Sequence, residues 1–159
     1  MLERIPPTPG QEWELSKAFK NTALVCNDSH ANIDCFGLTC LEGGLRTVIA
    51  ATGGTAPNKF YRGVTVDDQP KQCVRFVGYY SDKISYFAKG GDRLSKDFVD
   101  MLLAGSTAWI SSDSKAFGYS LKGSSAAIKA LARKCGINLT QLPTKSYTTC
   151  SHRREEENL

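Results

Sequence analysis

Histidine is scarce in this 159-residue chain: only His30 and His152 occur. Any Ser–His–Asp or Cys–His catalytic arrangement would have to use one of them. No apolar run approaches the roughly 20 residues that span a bilayer, which excludes a transmembrane helix. The first ten residues carry Arg4 and three prolines but no apolar stretch of the signal-peptide kind. Two settings stay open, a cytosolic protein or a mature exported domain. No C-x-x-C pair, P-loop or G-x-G-x-x-G fingerprint occurs, so the sequence implies no zinc knuckle, nucleotide or other cofactor. The net charge of +4 is modest, and the cations alternate with acidic residues. That is not the clustered basic stripe of a nucleic-acid binder.

What is present describes a small globular domain. A chain of this length can bury a real core, and 41% hydrophobic with 23% charged residues is ordinary for one domain. Six cysteines, Cys26, Cys35, Cys40, Cys73, Cys135 and Cys150, form an even set that is dense for a cytosolic protein. They point to disulfides in an oxidising compartment, and six thiols allow 15 full pairings. The early cluster of Cys26, Cys35 and Cys40 favours at least one local bridge. Cys73 and Cys135 are placed for a bridge from strand to helix.

Residues 1–12 read as an extended, mobile lead-in, 13–142 as one β-rich domain, and 143–159 as a polar tail ending in a solvated, frayed run. Short apolar or β-branched runs at 13–15, 23–26, 36–40, 45–51, 63–66, 72–80, 84–88, 107–111 and 116–121 are separated by turn residues and predict antiparallel strands. A helix is predicted over 96–104, capped by Ser95 and ended by Gly105, with Phe98, Met101 and Leu102 on one face. A second is predicted over 125–134, with Ser124 or Ser125 as N-cap and Gly136 beyond its end. Ile128, Leu131 and Cys135, extended by Ala127, form its apolar stripe, so Cys135 faces the core. The order of elements indicates a mainly β, α+β architecture: an antiparallel β-sandwich or partly open barrel with two short helices, the second closing the domain.

Few constellations could carry chemistry. Cys26, His30, Cys35 and Cys40 could supply a thiol–imidazole pair or a zinc site, but the spacing is poor for metal and disulfides are the stronger reading. Asp67 and Asp68 could be a carboxylate pair, although adjacent acids before Pro70 usually solvate a turn. Thr52–Gly53–Gly54–Thr55 and Lys89–Gly90–Gly91–Asp92 read as ordinary turns. Asn27–Asp28–Ser29 and Asn138–Leu139–Thr140 match the glycosylation sequon. Basic and aromatic residues interleave at 59–62 and 75–80, which strand alternation explains more simply than base stacking.

The chain resembles exported bacterial β-sandwich proteins of the invasion-associated locus B type. The likeness lies in Trp13, in Cys26 and Cys40, and in the strand Val64–Thr65–Val66–Asp67. It continues through Leu102–Leu103–Ala104–Gly105, Ala108–Trp109–Ile110 and the closing Ser120–Leu121–Lys122–Gly123 with Ala126–Ala127–Ile128, over about residues 13–136. The cysteine spacing and the stretch between Cys135 and Cys150 depart from it. The resemblance implies a periplasmic or secreted, non-enzymatic protein that binds another protein or an envelope component, and it brings no catalytic residues. Two other readings stand beside it: a small enzyme using the Cys26, His30, Cys35 and Cys40 group, and a cytosolic or phage-encoded regulatory interaction protein with reduced cysteines.

Overall fold

Runs of β-branched and aromatic residues, cut by Gly, Asn, Asp and Pro, build a strand-dominated domain. The structure, a computed structural model, describes residues 3–28, 35–52, 59–80, 85–90, 93–112 and 114–144. Its elements in chain order are β1 (Glu3–Ile5), β2 (Glu14–Leu15), β3 (Thr22–Cys26), β4 (Cys35–Leu41), β5 (Gly44–Thr52), β6 (Lys59–Val66), β7 (Gln72–Tyr80), β8 (Ser85–Gly90), α1 (Lys96–Ala104), β9 (Thr107–Ser112), β10 (Lys115–Ser120) and α2 (Ser124–Cys135). A short 3-10 turn, Leu139–Gln141, follows.

The strands form one ladder in the order β1-β10-β9-β6-β7-β8-β5-β4-β3-β2. Every pairing is antiparallel except that of β1 with β10, which is parallel. The ladder does not close into a barrel. It bends so that its two halves face each other across one core, a sandwich-like α+β fold of the kind the sequence predicts. Phe36 of β4 lies 5.9 Å from Tyr119 of β10, centroid to centroid, and Trp13 meets Phe36 edge-on at 5.9 Å. Both halves feed the same cluster, with Val25, Leu38 and Ile49 from one side and Val64, Phe76, Ile110 and Phe117 from the other.

Period-two alternation explains which residues enter that core. Along β7, Val74 and Phe76 are buried in it, which puts Cys73 and Arg75 on the opposite face. The extended segment ahead of Trp13 is also engaged, because Glu3, Arg4 and Ile5 pair with Lys115, Ala116 and Phe117. Beyond Phe117, no strand among the described residues covers that side of β10. Side chains satisfy its edge instead: the Asn27 amide donates to the Gly118 carbonyl at 2.7 Å, and the Trp13 indole donates to the Ser120 carbonyl at 2.8 Å. Unpaired carbonyls buried at such a seam would each cost about 1–3 kcal/mol.

Helix α1 follows its prediction. The Ser95 hydroxyl accepts from the Phe98 N–H at 3.3 Å, and Phe98, Val99 and Leu102 are buried. Helix α2 differs at its start. Gly123, with φ of 81°, occupies the N-cap position and no side chain caps the helix. The serine expected there is buried and otherwise engaged: the Ser124 hydroxyl donates to the Leu102 carbonyl at 2.7 Å, tying α2 to the last turn of α1. Gly136 ends α2 as predicted, in the left-handed conformation with φ of 69°. Ala127, Ile128 and Leu131 face the core, and Leu142 joins them after the 3-10 turn.

Candidate binding surface

The sulfur atoms settle how the cysteines can act. Cys26 and Cys35 stand directly opposite each other on β3 and β4 and are joined by a disulfide, and a second disulfide joins Cys40 of β4 to Cys135 of α2. The expected Cys73–Cys135 bridge is therefore not made. α2 packs against β2, β3 and β4, so Cys40 is the thiol within reach of Cys135. Cys73, on the far face of β7, is itself disulfide-bonded. Cys150 and both histidines lie outside the described residues.

The thiol or metal grouping of Cys26, His30, Cys35 and Cys40 is corrected by the same observation. Three of its members are half-cystines, which have no thiolate to attack a substrate or ligate zinc. Cys40 also faces the opposite side of the strand from Cys35, held toward α2. Among the described residues, no three His, Cys, Asp or Glu side chains converge as a metal site would require.

Asp67 has a structural task. Its carboxylate accepts the backbone N–H groups of Ser106 at 3.0 Å and Thr107 at 3.0 Å, fixing the α1–β9 connection, while Asp68 beside it is exposed. The two acids do not work as a catalytic pair. Of the glycine-rich turns, residues 53–55 and 91–92 lie outside the described residues. Interleaving at 59–62 and 75–80 is strand alternation in the ladder, where Phe60 pairs with Phe76 and Tyr61 with Arg75.

The two sequons separate sharply. Asn27 is fully buried, and its amide nitrogen donates to the Pro6 and Gly118 carbonyls at 3.1 and 2.7 Å. A glycan on that nitrogen would displace the seam, so the folded chain cannot carry one there. Asn138 is exposed and caps the 3-10 turn, its side-chain oxygen accepting from the Thr140 N–H at 3.0 Å.

The described surface includes two hollows. One, of about 380 Å³, lies between the β4–β5 turn, Arg93 and residues 136–143. Arg93 crosses it and donates to the Glu42 carbonyl at 2.7 Å. The other, of about 320 Å³, lies between Asp67, Gln69 and the end of α1. The first is lined by Arg93, Asn138 and Gln141 beside apolar residues, and the second by Asp67, Gln69 and Asp100.

Charge is gathered elsewhere. The sequence suggests an even scatter of cations, but the fold sets Lys129, Arg133 and Lys134 on the exposed side of α2, with Lys122 just before it. Residues 122–136 contain no carboxylate, and their four cations equal the +4 of the whole chain, so the remainder is balanced. Arg133 and Lys134 also complement the C-terminal end of the helix dipole, whereas Lys129, in the middle of α2, is not placed by that effect. Lys122 pairs with Glu12 at 3.1 Å, both side chains being largely exposed. Leu15 of β2 is 39% exposed beside this helix. Pairing with the buried Ala23 puts Leu15 on the same face of the sheet as α2. Lys17 and Lys20 follow it on the β2–β3 turn, both exposed. Helical periodicity in residues 124–135 could have shown this face from sequence alone, whereas the position of Leu15 depends on the pairing of β2.

Among the described residues, no helix is long and apolar enough to cross a membrane. No family model, curated protein or solved structure matches the chain.

Proposed function

We propose that this protein is an exported, periplasmic or secreted domain with no catalytic role, stabilised by its disulfides and binding a protein or an envelope component, as the invasion-associated locus B-like resemblance implies. The observation that carries the reading is the oxidised state of the cysteines, with one bridge spanning 95 residues between sheet and helix. Such bridges persist in oxidising compartments and are rare where thiols are kept reduced. The basic face of α2 supports an envelope component, since envelopes present anionic groups.

Thiol trapping in the producing cells tests this. Acid quenching followed by alkylation and peptide mapping should leave Cys26, Cys35, Cys40 and Cys135 unmodified until reductant is added. Alkylation of all four without reductant would overturn the export reading in favour of a reduced cytosolic protein.

A further inference from the structure

We infer that the exposed side of α2, together with Leu15, is a docking surface for an anionic lipid bilayer. The inference deepens the envelope-binding reading above and rests on it. Three observations converge. The cations Lys122, Lys129, Arg133 and Lys134 come from one continuous stretch without a carboxylate; Lys122 pairs with Glu12, and Lys129, Arg133 and Lys134 give the exposed side of α2 its positive charge. Leu15, a large apolar side chain that is 39% exposed, lies on β2, which packs against α2, on the face of the sheet that α2 covers. The intervening helix positions Ala126 and Ala130 are small, so the lysine and arginine stems stand above a flat surface.

A charged rim around one apolar anchor is the composition that holds a protein at a headgroup layer, with the cations attracted to anionic lipid and the leucine entering the acyl boundary. Among the described residues, the face offers no aromatic ring on which bases or sugars could stack. A single-stranded nucleic acid or a soluble glycan would therefore find charge there but no platform. Near an anionic surface each lysine or arginine is worth about a fivefold gain in partitioning, so the cluster supports reversible association and not permanent anchoring.

The test uses the disulfide-intact chain and vesicle co-sedimentation. Vesicles rich in phosphatidylglycerol should retain the protein, vesicles of phosphatidylcholine alone should not, and added salt should release it. Lys129→Gln with Arg133→Gln should weaken binding roughly 25-fold, two charges at about fivefold each. Leu15→Ser should weaken it a further few-fold. All three side chains are exposed, and an unchanged unfolding midpoint would confirm that the variants are folded. Equal retention on both vesicle types, or none on either, would overturn the inference. So would an anionic polysaccharide or oligonucleotide binding as tightly as the vesicles with no effect of Leu15→Ser, because the face would then read soluble polyanions. None of these results depends on the thiol state in cells, so failure here and failure of the export reading are told apart.

Discussion

Two of the disulfides, Cys26–Cys35 and Cys40–Cys135, cross-link the molecule at very different scales. Cys26–Cys35 ties strands that the β3–β4 ladder already pairs residue by residue, and it closes a loop with a sequence separation of 9. Cys40–Cys135 joins elements 95 residues apart that share no backbone hydrogen-bond ladder. The first bridge repeats a contact already made by the backbone, whereas the second makes a connection that only side chains provide. In the loop-entropy description the short loop stabilises by about 2.7 kcal/mol and the long one by about 4.7 kcal/mol. Of these two bridges, the one that attaches α2 therefore carries the greater dependence on oxidation.

The largest expected effect breaks that attachment. Cys40→Ala with Cys135→Ala should lower unfolding stability by about 4–5 kcal/mol in urea titrations. A loss under about 2 kcal/mol, the low end for removal of a native bridge, would mean that packing of Ile128 and Leu131 holds the helix without it.

Asn27→Ala comes next. It leaves the Gly118 carbonyl without its partner and removes the link to Pro6, for a loss of about 3 kcal/mol. Asn27 adjoins Cys26, so combining this change with loss of the short bridge should give a non-additive cycle. Additivity would show that the bridge does not position the amide. Cys26→Ala with Cys35→Ala alone should cost about 2–3 kcal/mol and leave the far-UV circular dichroism unchanged, since the ladder persists.

The smallest effects separate the two helices. Ser124→Ala should cost about 1–2 kcal/mol by orphaning the Leu102 carbonyl, and Ser95→Ala about 1 kcal/mol by removing a cap. Made in the variant lacking Cys40–Cys135, Ser124→Ala should cost more than in the parent chain, because its hydrogen bond is then a principal remaining tie of α2. Equal costs in the two backgrounds would show that bridge and hydroxyl act independently.

Much of the strand pattern was legible because period-two burial and turn residues are local signals. The 72–80 strand and the 96–104 helix were readable for that reason, down to the Ser95 cap. Pairing of cysteines was not, because sequence spacing does not say which face of which strand a helix covers. Cys73 and Cys135 suit each other in sequence, yet the fold puts Cys73 on the far side of β7 from the core. Asn27 read as a sequon because nothing nearby in sequence reveals that Gly118, 91 residues away, leaves a carbonyl to be filled. Ser124 read as a cap for the same reason: its acceptor, Leu102, belongs to another helix. The basic side of α2 was local information obscured by averaging charge over the whole chain.

The span of Cys40–Cys135 also imposes an order in time. As the chain emerges from its N-terminus, Cys35 follows Cys26 closely, but the proper partner of Cys40 arrives 95 residues later. At typical synthesis rates that is a delay of about 5–20 s, during which Cys40 stands among thiols that are not its own. Cys73 appears within the interval. In a compartment that oxidises the chain as it emerges, correct pairing of Cys40 would depend on a catalyst of disulfide exchange or on oxidation waiting until α2 has docked.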